Sequence, residues 1–261
     1  MPDDIGNLES FDTFLAIIAK LRAPGGCPWD REQSHASLKK FLLEECYEAL
    51  DAIDAGDPQK IAEELGDVLL QVGLNAQIGA DNGTFTMKDV LRHINAKLVR
   101  RHPHVFGDVK VKDAAQVAAN WEQLKKAERK ADASVLDGVP KSQPALFQSQ
   151  EIQGRAARQG FDWPNMDGVL DKVREELGEF QAARSKAEQE HELGDIIAAL
   201  VNVGRKLDID TEAAVRKAND RFRQRFQYME RAARERGASI DRLPLDQQEA
   251  LWQEAKKHER H

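Results

Sequence analysis

The chain has 261 residues, enough for one large domain or two smaller ones with proper cores. Its 32% of charged residues and formal net charge of −7 argue against a stable nucleic-acid partner, since duplex binders need a basic face. No apolar run approaches the ~20 residues that cross a bilayer, the amino terminus lacks the basic region of a signal peptide, and Cys27 and Cys46 lack metal-ligand spacing, so a reduced, cytoplasmic setting without a membrane partner is expected.

Abundant Ala, Leu, Glu, Lys, Arg and Gln with sparse Gly and Pro predict an all-α protein. Helices are expected over 9–22, 34–54, 58–80, 86–101 and 113–131. Gly56-Asp57-Pro58 stops one helix and opens the next, glycine ending and proline starting. Cys27-Pro28-Trp29-Asp30 and His102-Pro103-His104 read as ordered loops. Asp137-Gly138-Val139-Pro140 then breaks a long helical pattern. Beyond it, helices are expected over 143–158, 166–186, 188–206, 210–236 and 244–259. Two domains follow, 1–131 and 143–261, joined by a linker over 132–142.

The two halves repeat one another. Glu44-Glu45-Cys46-Tyr47-Glu48 recurs as Glu175-Glu176-Leu177-Gly178-Glu179, and Glu64-Leu65-Gly66-Asp67 as Glu192-Leu193-Gly194-Asp195. Asn95-Ala96-Lys97 with Arg101 matches Asn219-Asp220-Arg221 with Arg225. Trp121-Glu122-Gln123-Leu124-Lys125 matches Trp252-Gln253-Glu254-Ala255-Lys256. The order is kept throughout, which marks a tandem duplication.

Glu45 and Glu48 share one helical face, as do Glu64 and Asp67 on the next helix. These acids interrupt the apolar stripes that should face the core: Leu38, Leu42, Glu45 and Ala49 form one row, and Val173, Glu176 and Phe180 its later copy. With 45 acids in the chain a single such box arises by chance and reads as a solvated helix face. Its duplication, each time on the apolar stripe, points to a site. Carboxylates that converge away from water take a proton or find a cation, and all-oxygen ligation favours Mg²⁺, with Mn²⁺ as a substitute.

Lys97 and Arg101, like Arg221 and Arg225, lie one helical turn apart downstream of the boxes, where they could neutralise phosphoryl oxygens. Trp121 with Lys125, and Trp252 with Lys256, pair a stacking surface with an ammonium. Glu188 and His191 form an E-x-x-H of the kind found in di-iron bundles, but Lys60 and Glu63 hold those places in the first half.

The E-E-x-x-E box followed by E-L-G-D resembles the MazG family of nucleoside triphosphate pyrophosphohydrolases. GGCPWDREQSHASLKKFLLEECYEALDAI, RRHPHVFGDV and the Trp-Glu-Gln-Leu-Lys segment look like its two-domain bacterial members, over roughly Leu15 to Lys257. The resemblance implies a tandem repeat of two helical-bundle domains, a homodimer, and Mg²⁺-dependent cleavage of ribo- and deoxynucleoside triphosphates between the α- and β-phosphates, with broad base tolerance. It assigns metal ligation to Glu176, Glu179, Glu192 and Asp195, with Glu45, Glu48, Glu64 and Asp67 as their earlier copies. It gives phosphate binding to Lys172, Arg221, Arg225 and Lys256, with Lys125 the first-half counterpart of Lys256, and base stacking to Trp252. Glu175, beside a ligand, is the candidate for orienting or deprotonating the attacking water.

The resemblance also implies that activity concentrates in the second repeat. Lys172 precedes its acids by one turn, whereas Phe41 holds that place in the first repeat. The rival readings are a module that senses nucleotide–Mg²⁺ without turnover, a scaffold with a structural metal, and a nucleotidase that releases orthophosphate.

Overall fold

A computed structural model describes residues 6–128 and 133–258, apart from the side chains at 119, 122 and 125–127. All regular structure among the described residues is helical. Helices α1 (Phe11–Arg22), α2 (Pro28–Glu32), α3 (Lys39–Ala55), α4 (Pro58–Asp81), α5 (Met87–Arg101), α6 (Pro103–Phe106) and α7 (Ala114–Glu128) are followed by α8 (Ala145–Ala157), α9 (Met166–Ala182), α10 (Lys186–Lys206) and α11 (Thr211–Glu235). A short 3₁₀ turn (Ile240–Arg242) precedes α12 (Leu245–His258). The chain divides into two compact units, Met1–Arg129 and Lys130–His261. No helix among the described residues is long and apolar enough to cross a membrane.

In the first unit α3 and α4 form an antiparallel hairpin. Gly56, at φ 71, ends α3 in the left-handed conformation, which glycine adopts without a Cβ penalty. Asp57 accepts hydrogen bonds from the amides of Gln59 (3.0 Å) and Lys60 (3.4 Å), and Pro58 fills the first helical position. Helix α1 closes on α4 to form a core of Ile18, Leu38, Leu74 and Ile78, with Phe14, Phe41 and Leu70 around it. Ile18 and Leu74 are each 1% exposed, and burying such side chains contributes about 1.5–3 kcal/mol apiece. The approach is close because position 73 is glycine; a Cβ there would lie 2.3 Å from Ile18 Cδ1.

The second unit builds the same hairpin from α9 and α10. Ser185 and Glu188 cap α10 reciprocally: Ser185 Oγ accepts from the Glu188 amide at 3.2 Å, and the Glu188 carboxylate accepts from the Arg184 and Ser185 amides. Those amides hold the Glu188 carboxyl below its ordinary pKa. Helix α8 lies against α10, where Gln153 Nε2 donates to the Ala198 carbonyl at 2.9 Å. Helices α11 and α12 enclose a separate cluster of Met229, Ala232, Ala233 and Leu251.

Three expectations are corrected by local chemistry. Residues 28–32 and 103–106 are short helices, each opened by a proline already set at helical φ. Helix α3 begins at Lys39 instead of 34, because Ser34 and Ser37 exchange side-chain bonds with each other's amides in a turn of their own. Helix α9 ends at Ala182 instead of 186, because the cap of α10 needs Ser185 in extended conformation.

Candidate active site

Each hairpin brings its two acidic boxes face to face. In the first unit, oxygens of Glu45 and Glu48 on α3 and Glu64 on α4 lie within 4.8 Å of one another. The Asp67 charge reaches them as well: burial and then Asp67 are the leading causes that raise the Glu45 pKa. In the second unit Glu176 belongs to two such groups, one with Glu175 and Glu179, the other with Glu192 and Asp195. Burial, then the charges of Glu176 and Glu192, raises the Glu179 pKa. Repulsion by Glu64, then desolvation, does the same for Glu48. Seven of the eight predicted acids therefore sit in two convergent clusters, and the eighth, Asp67, is near enough to act on Glu45 through its charge.

One carboxylate in each cluster is buried, and they come from different boxes. Glu64 is 3% exposed and Glu176 is 4% exposed. One oxygen of each pairs with a lysine one turn earlier: Lys60 Nζ reaches Glu64 Oε1 at 2.7 Å, and Lys172 Nζ reaches Glu176 Oε1 at 2.6 Å. Hydrogen bonds to Glu64 and Glu63, and to Glu175 and Glu176, raise the pKa of Lys60 and Lys172 respectively. The other oxygen, Oε2 in both residues, is buried without a hydrogen-bond partner. A buried anionic oxygen left unpaired is costly, and a cation beside it removes that penalty. Orphaned oxygens among three or four converging carboxylates, with neither thiolate nor imidazole in the groups, match a hard divalent ion.

The second cluster is therefore not alone in having a lysine ahead of its acids, as the sequence suggested. Lys60 stands where the second unit has Glu188, and Lys172 where the first has Phe41, so the lysine has changed helices while serving an equivalent carboxylate site. Glu188 serves the α10 cap instead of an E-x-x-H ligand pair, and His191 lies at the rim, 3.4 Å from Asp195.

The units differ beside the carboxylates. In the second, a cavity of about 220 Å³ is lined by Lys172, Glu176 and Asp195 together with Phe161, Trp163, Gln153 and Asn202. In the first, Phe41 takes the place of Lys172, packs into the core, and meets the Trp29 ring edge-on at 5.6 Å. Phe161, Trp163, Gln153 and Asn202 were missed by the sequence reading. A usable signal was present in the tryptophan that precedes the first acidic box in both halves, Trp29 and Trp163.

Three of the remaining predicted residues, Trp252, Arg225 and Lys256, form a group of their own. Trp252 meets Phe222 at 5.1 Å and lies beneath Arg225 (5.3 Å) and Lys256 (5.9 Å). Neither these nor Arg221 line the carboxylate cavity. Glu175 pairs with Lys172 Nζ at 2.7 Å. The Lys125 side chain lies outside the described residues. Its neighbour Trp121 donates Nε1 to the Arg101 carbonyl at 2.8 Å.

Comparison with known proteins matches residues 33–106 to the MazG nucleotide pyrophosphohydrolase domain. The chain is 43% identical over 247 residues to the nucleoside triphosphate pyrophosphohydrolase/pyrophosphatase MazG of Thermotoga maritima, covering 94% of this chain and 95% of that protein. It is 43% identical over 260 residues to the nucleoside triphosphate pyrophosphohydrolase of Escherichia coli K12, covering 97% and 99%. It is also 51% identical over 257 residues to the uncharacterized protein YabN of Bacillus subtilis, of whose length it spans 53%.

Proposed function

The chain belongs to the MazG family, and from that premise we propose that it is a nucleoside triphosphate pyrophosphohydrolase that works with Mg²⁺. The reaction is hydrolysis of the α–β phosphoanhydride, giving a nucleoside monophosphate and pyrophosphate, with ribo- and deoxynucleotides of any base accepted. The observation that carries the reading is the orphaned, buried Oε2 of Glu176 among converging carboxylates, beside a cavity that Lys172 also lines.

Glu176, Glu179, Glu192 and Asp195 are the proposed metal ligands, with Glu45, Glu48, Glu64 and Asp67 as a second set in the first unit. A divalent ion held there would supply charge neutralisation for the polyphosphate and activation of the attacking water. Glu175 lies beside the ligands and is held there by the Lys172 ammonium, a position from which its carboxylate would orient an attacking water and take its proton. Lys172 would place a positive charge against the phosphoryl oxygens of the bound polyphosphate. Catalysis is assigned to the second unit because its carboxylates open onto the cavity, whereas Phe41 and Trp29 pack together beside those of the first.

A homodimer is part of the proposal. Leu177, Leu193, Ile197 and Leu200 on α9 and α10 are 43–51% exposed, an apolar surface that a second copy would cover. Pairing would also let the basic group of Arg221, Arg225 and Lys256 approach a polyphosphate bound by the partner's carboxylates. A reducing cytoplasm suits Cys27 and Cys46, which are both free thiols.

Phosphorus NMR of the full chain with Mg²⁺ and ATP tests the reaction. Pyrophosphate and AMP are expected in equal amounts. Orthophosphate with ADP would reassign the enzyme to another bond, and binding without products would make it a sensor.

A further inference from the structure

We infer that the second unit carries a binding site for a free α-amino acid with an apolar side chain, set apart from the carboxylate cavity and linked to it by Arg205. The site is a cavity of about 360 Å³ between α8 and the turn from α10 to α11, large enough for a small organic ligand. Arg158 and Arg205 line it with Asp208 and Asp210, and Phe147 and Ile209 supply apolar surface. It shares no lining residue with the carboxylate cavity.

The turn that forms one wall is fixed by its own contacts. Gln150 on α8 donates Nε2 to the Ile209 carbonyl (2.9 Å) and accepts through Oε1 from the Thr211 amide (3.0 Å) and hydroxyl (2.6 Å). Position 204 is glycine, where a Cβ would stand 2.2 Å from Thr211 Cγ2, so α10 and the start of α11 meet closely. Gly154 also lines the cavity, and Arg158 Nη1 lies 3.6 Å from where a Cβ would stand there, so the guanidinium folds back over that glycine. A site fixed in this way loses little freedom when a ligand enters.

Charged groups of both signs are left half-used. Arg205 donates Nη2 to Asp162 (2.5 Å) and Nε to Asn202 Oδ1 (2.8 Å), which leaves Nη1 without a partner among the described residues. The Asp208 side chain has no hydrogen bond or ion pair among them, and Asp210 uses only Oδ1, which caps α11 at the Ala213 amide (2.9 Å). Glu151, the third acid at the cavity, is already paired with Arg155 at 2.8 Å. Asp208 stands at φ 55, whereas each of the seven other described residues with a positive φ is glycine. Glycine would fit that backbone with less strain, so a carboxylate is kept where the turn does not call for one. Uncommitted carboxylates and an uncommitted guanidinium edge in one cavity match a zwitterion, its ammonium on Asp208 and Asp210 and its carboxylate on Arg205 and Arg158. Phe147 and Ile209, each 45% exposed, would be covered by an apolar side chain.

Arg205 carries the link. The same guanidinium holds Asp162, in the loop of Phe161 and Trp163, and Asn202; all but Asp162 line the carboxylate cavity. A ligand carboxylate at Nη1 competes with Asp162 for that guanidinium, so filling one cavity alters the other. The link rests on the function proposed above; the binding site does not.

Isothermal titration calorimetry of the full chain with L-leucine, L-methionine and L-phenylalanine tests the site. At least one should bind with a dissociation constant on the order of 0.1–1 mM. Its N-acetyl derivative, without the ammonium, and its decarboxylated amine should each bind at least about tenfold more weakly. Asp208→Gly and Asp208→Asn both suit φ 55, so they should weaken the amino acid about tenfold while the melting temperature stays within about 2 °C of wild type. With Mg²⁺ and α,β-methylene-ATP, which resists cleavage at the reacting bond, the amino acid's constant should shift at least about threefold, and the nucleotide's by the same factor. No binding of any of the three at about 10 mM overturns the inference. So does equal affinity for the amine or the acetyl derivative, or unchanged affinity in both Asp208 variants. An unchanged constant with the nucleotide bound overturns the link. Pyrophosphate release decides the enzyme separately, and its absence leaves a site found by calorimetry standing.

Discussion

Replacing Glu176 by Gln, on a Glu64→Gln background so that only the second site can respond, separates a metal site from a merely acidic hairpin. Without metal the change should be nearly neutral. It removes a buried charge whose Oε2 has no partner, and Lys172 keeps Glu175 at 2.7 Å, so the net effect should stay within about 1 kcal/mol of the Glu64→Gln parent. With metal the two proteins should part. A ligand present at a hundred times its dissociation constant stabilises the folded state by about 2.7 kcal/mol. For a unit of this size, roughly 4 °C of melting temperature accompanies each kcal/mol, so saturating Mg²⁺ should raise the parent's melting point by about 10 °C. Losing the one buried ligand should remove more than half of that rise. Differential scanning fluorimetry in EDTA and across a Mg²⁺ series gives both numbers. An equal Mg²⁺ response in parent and Glu176→Gln would rule out Glu176 as a metal ligand, and a large loss of stability in EDTA would make its carboxylate a structural group instead.

Other consequences are open to direct measurement. In EDTA, Lys172→Met should lower the melting temperature by roughly 2–4 °C, because Glu176 loses its partner, yet it should tighten Mn²⁺ binding, because the ammonium no longer competes; weaker binding, read by electron paramagnetic resonance, would oppose this. Gly73→Ala should cost about 1–3 kcal/mol in urea unfolding, since the new methyl meets Ile18 and Phe14 in the α1–α4 contact; a neutral result would mean that the contact yields. The raised pKa values of Glu45, Glu48 and Glu179 mean that the metal-free fold binds protons there more readily than the unfolded chain. Their stabilising contribution is complete below the ordinary carboxylate range and is lost as pH rises through the raised values. Metal-free protein should therefore gain stability as the pH falls toward the ordinary carboxylate range, relative to a Glu45→Gln, Glu179→Gln variant, and Mg²⁺ should abolish the gain. A gain that survives in Mg²⁺ would place its cause elsewhere.

Helix positions and the acidic clusters were legible because both rest on local rules. The Gly56-Asp57-Pro58 junction forms as its residues dictate, and acids three apart share a face. The duplication made their placement on the apolar stripe a signal. What the sequence did not reveal depends on contacts between segments far apart in the chain. The lysine at each site hides in a residue-by-residue comparison because it comes from α4 in one unit and α9 in the other; only the spatial convergence of the two helices makes Lys60 and Lys172 equivalent. The cavity draws Gln153 from α8, Phe161 and Trp163 from a loop, and Asn202 from α10, none of which carries a pattern of its own. Glu188 looked like half of a metal motif because its real role, capping α10, requires knowing that α9 has already stopped.

Product analysis of the full chain carrying Glu176→Ala and Asp195→Ala together decides whether the second acidic cluster drives pyrophosphate release. With Mg²⁺, wild type should convert nucleoside triphosphate to monophosphate and pyrophosphate, and the double variant, still helical by circular dichroism, should release none. Pyrophosphate release persisting at the wild-type rate in the double variant would contradict it and move the chemistry to Glu45, Glu48, Glu64 and Asp67.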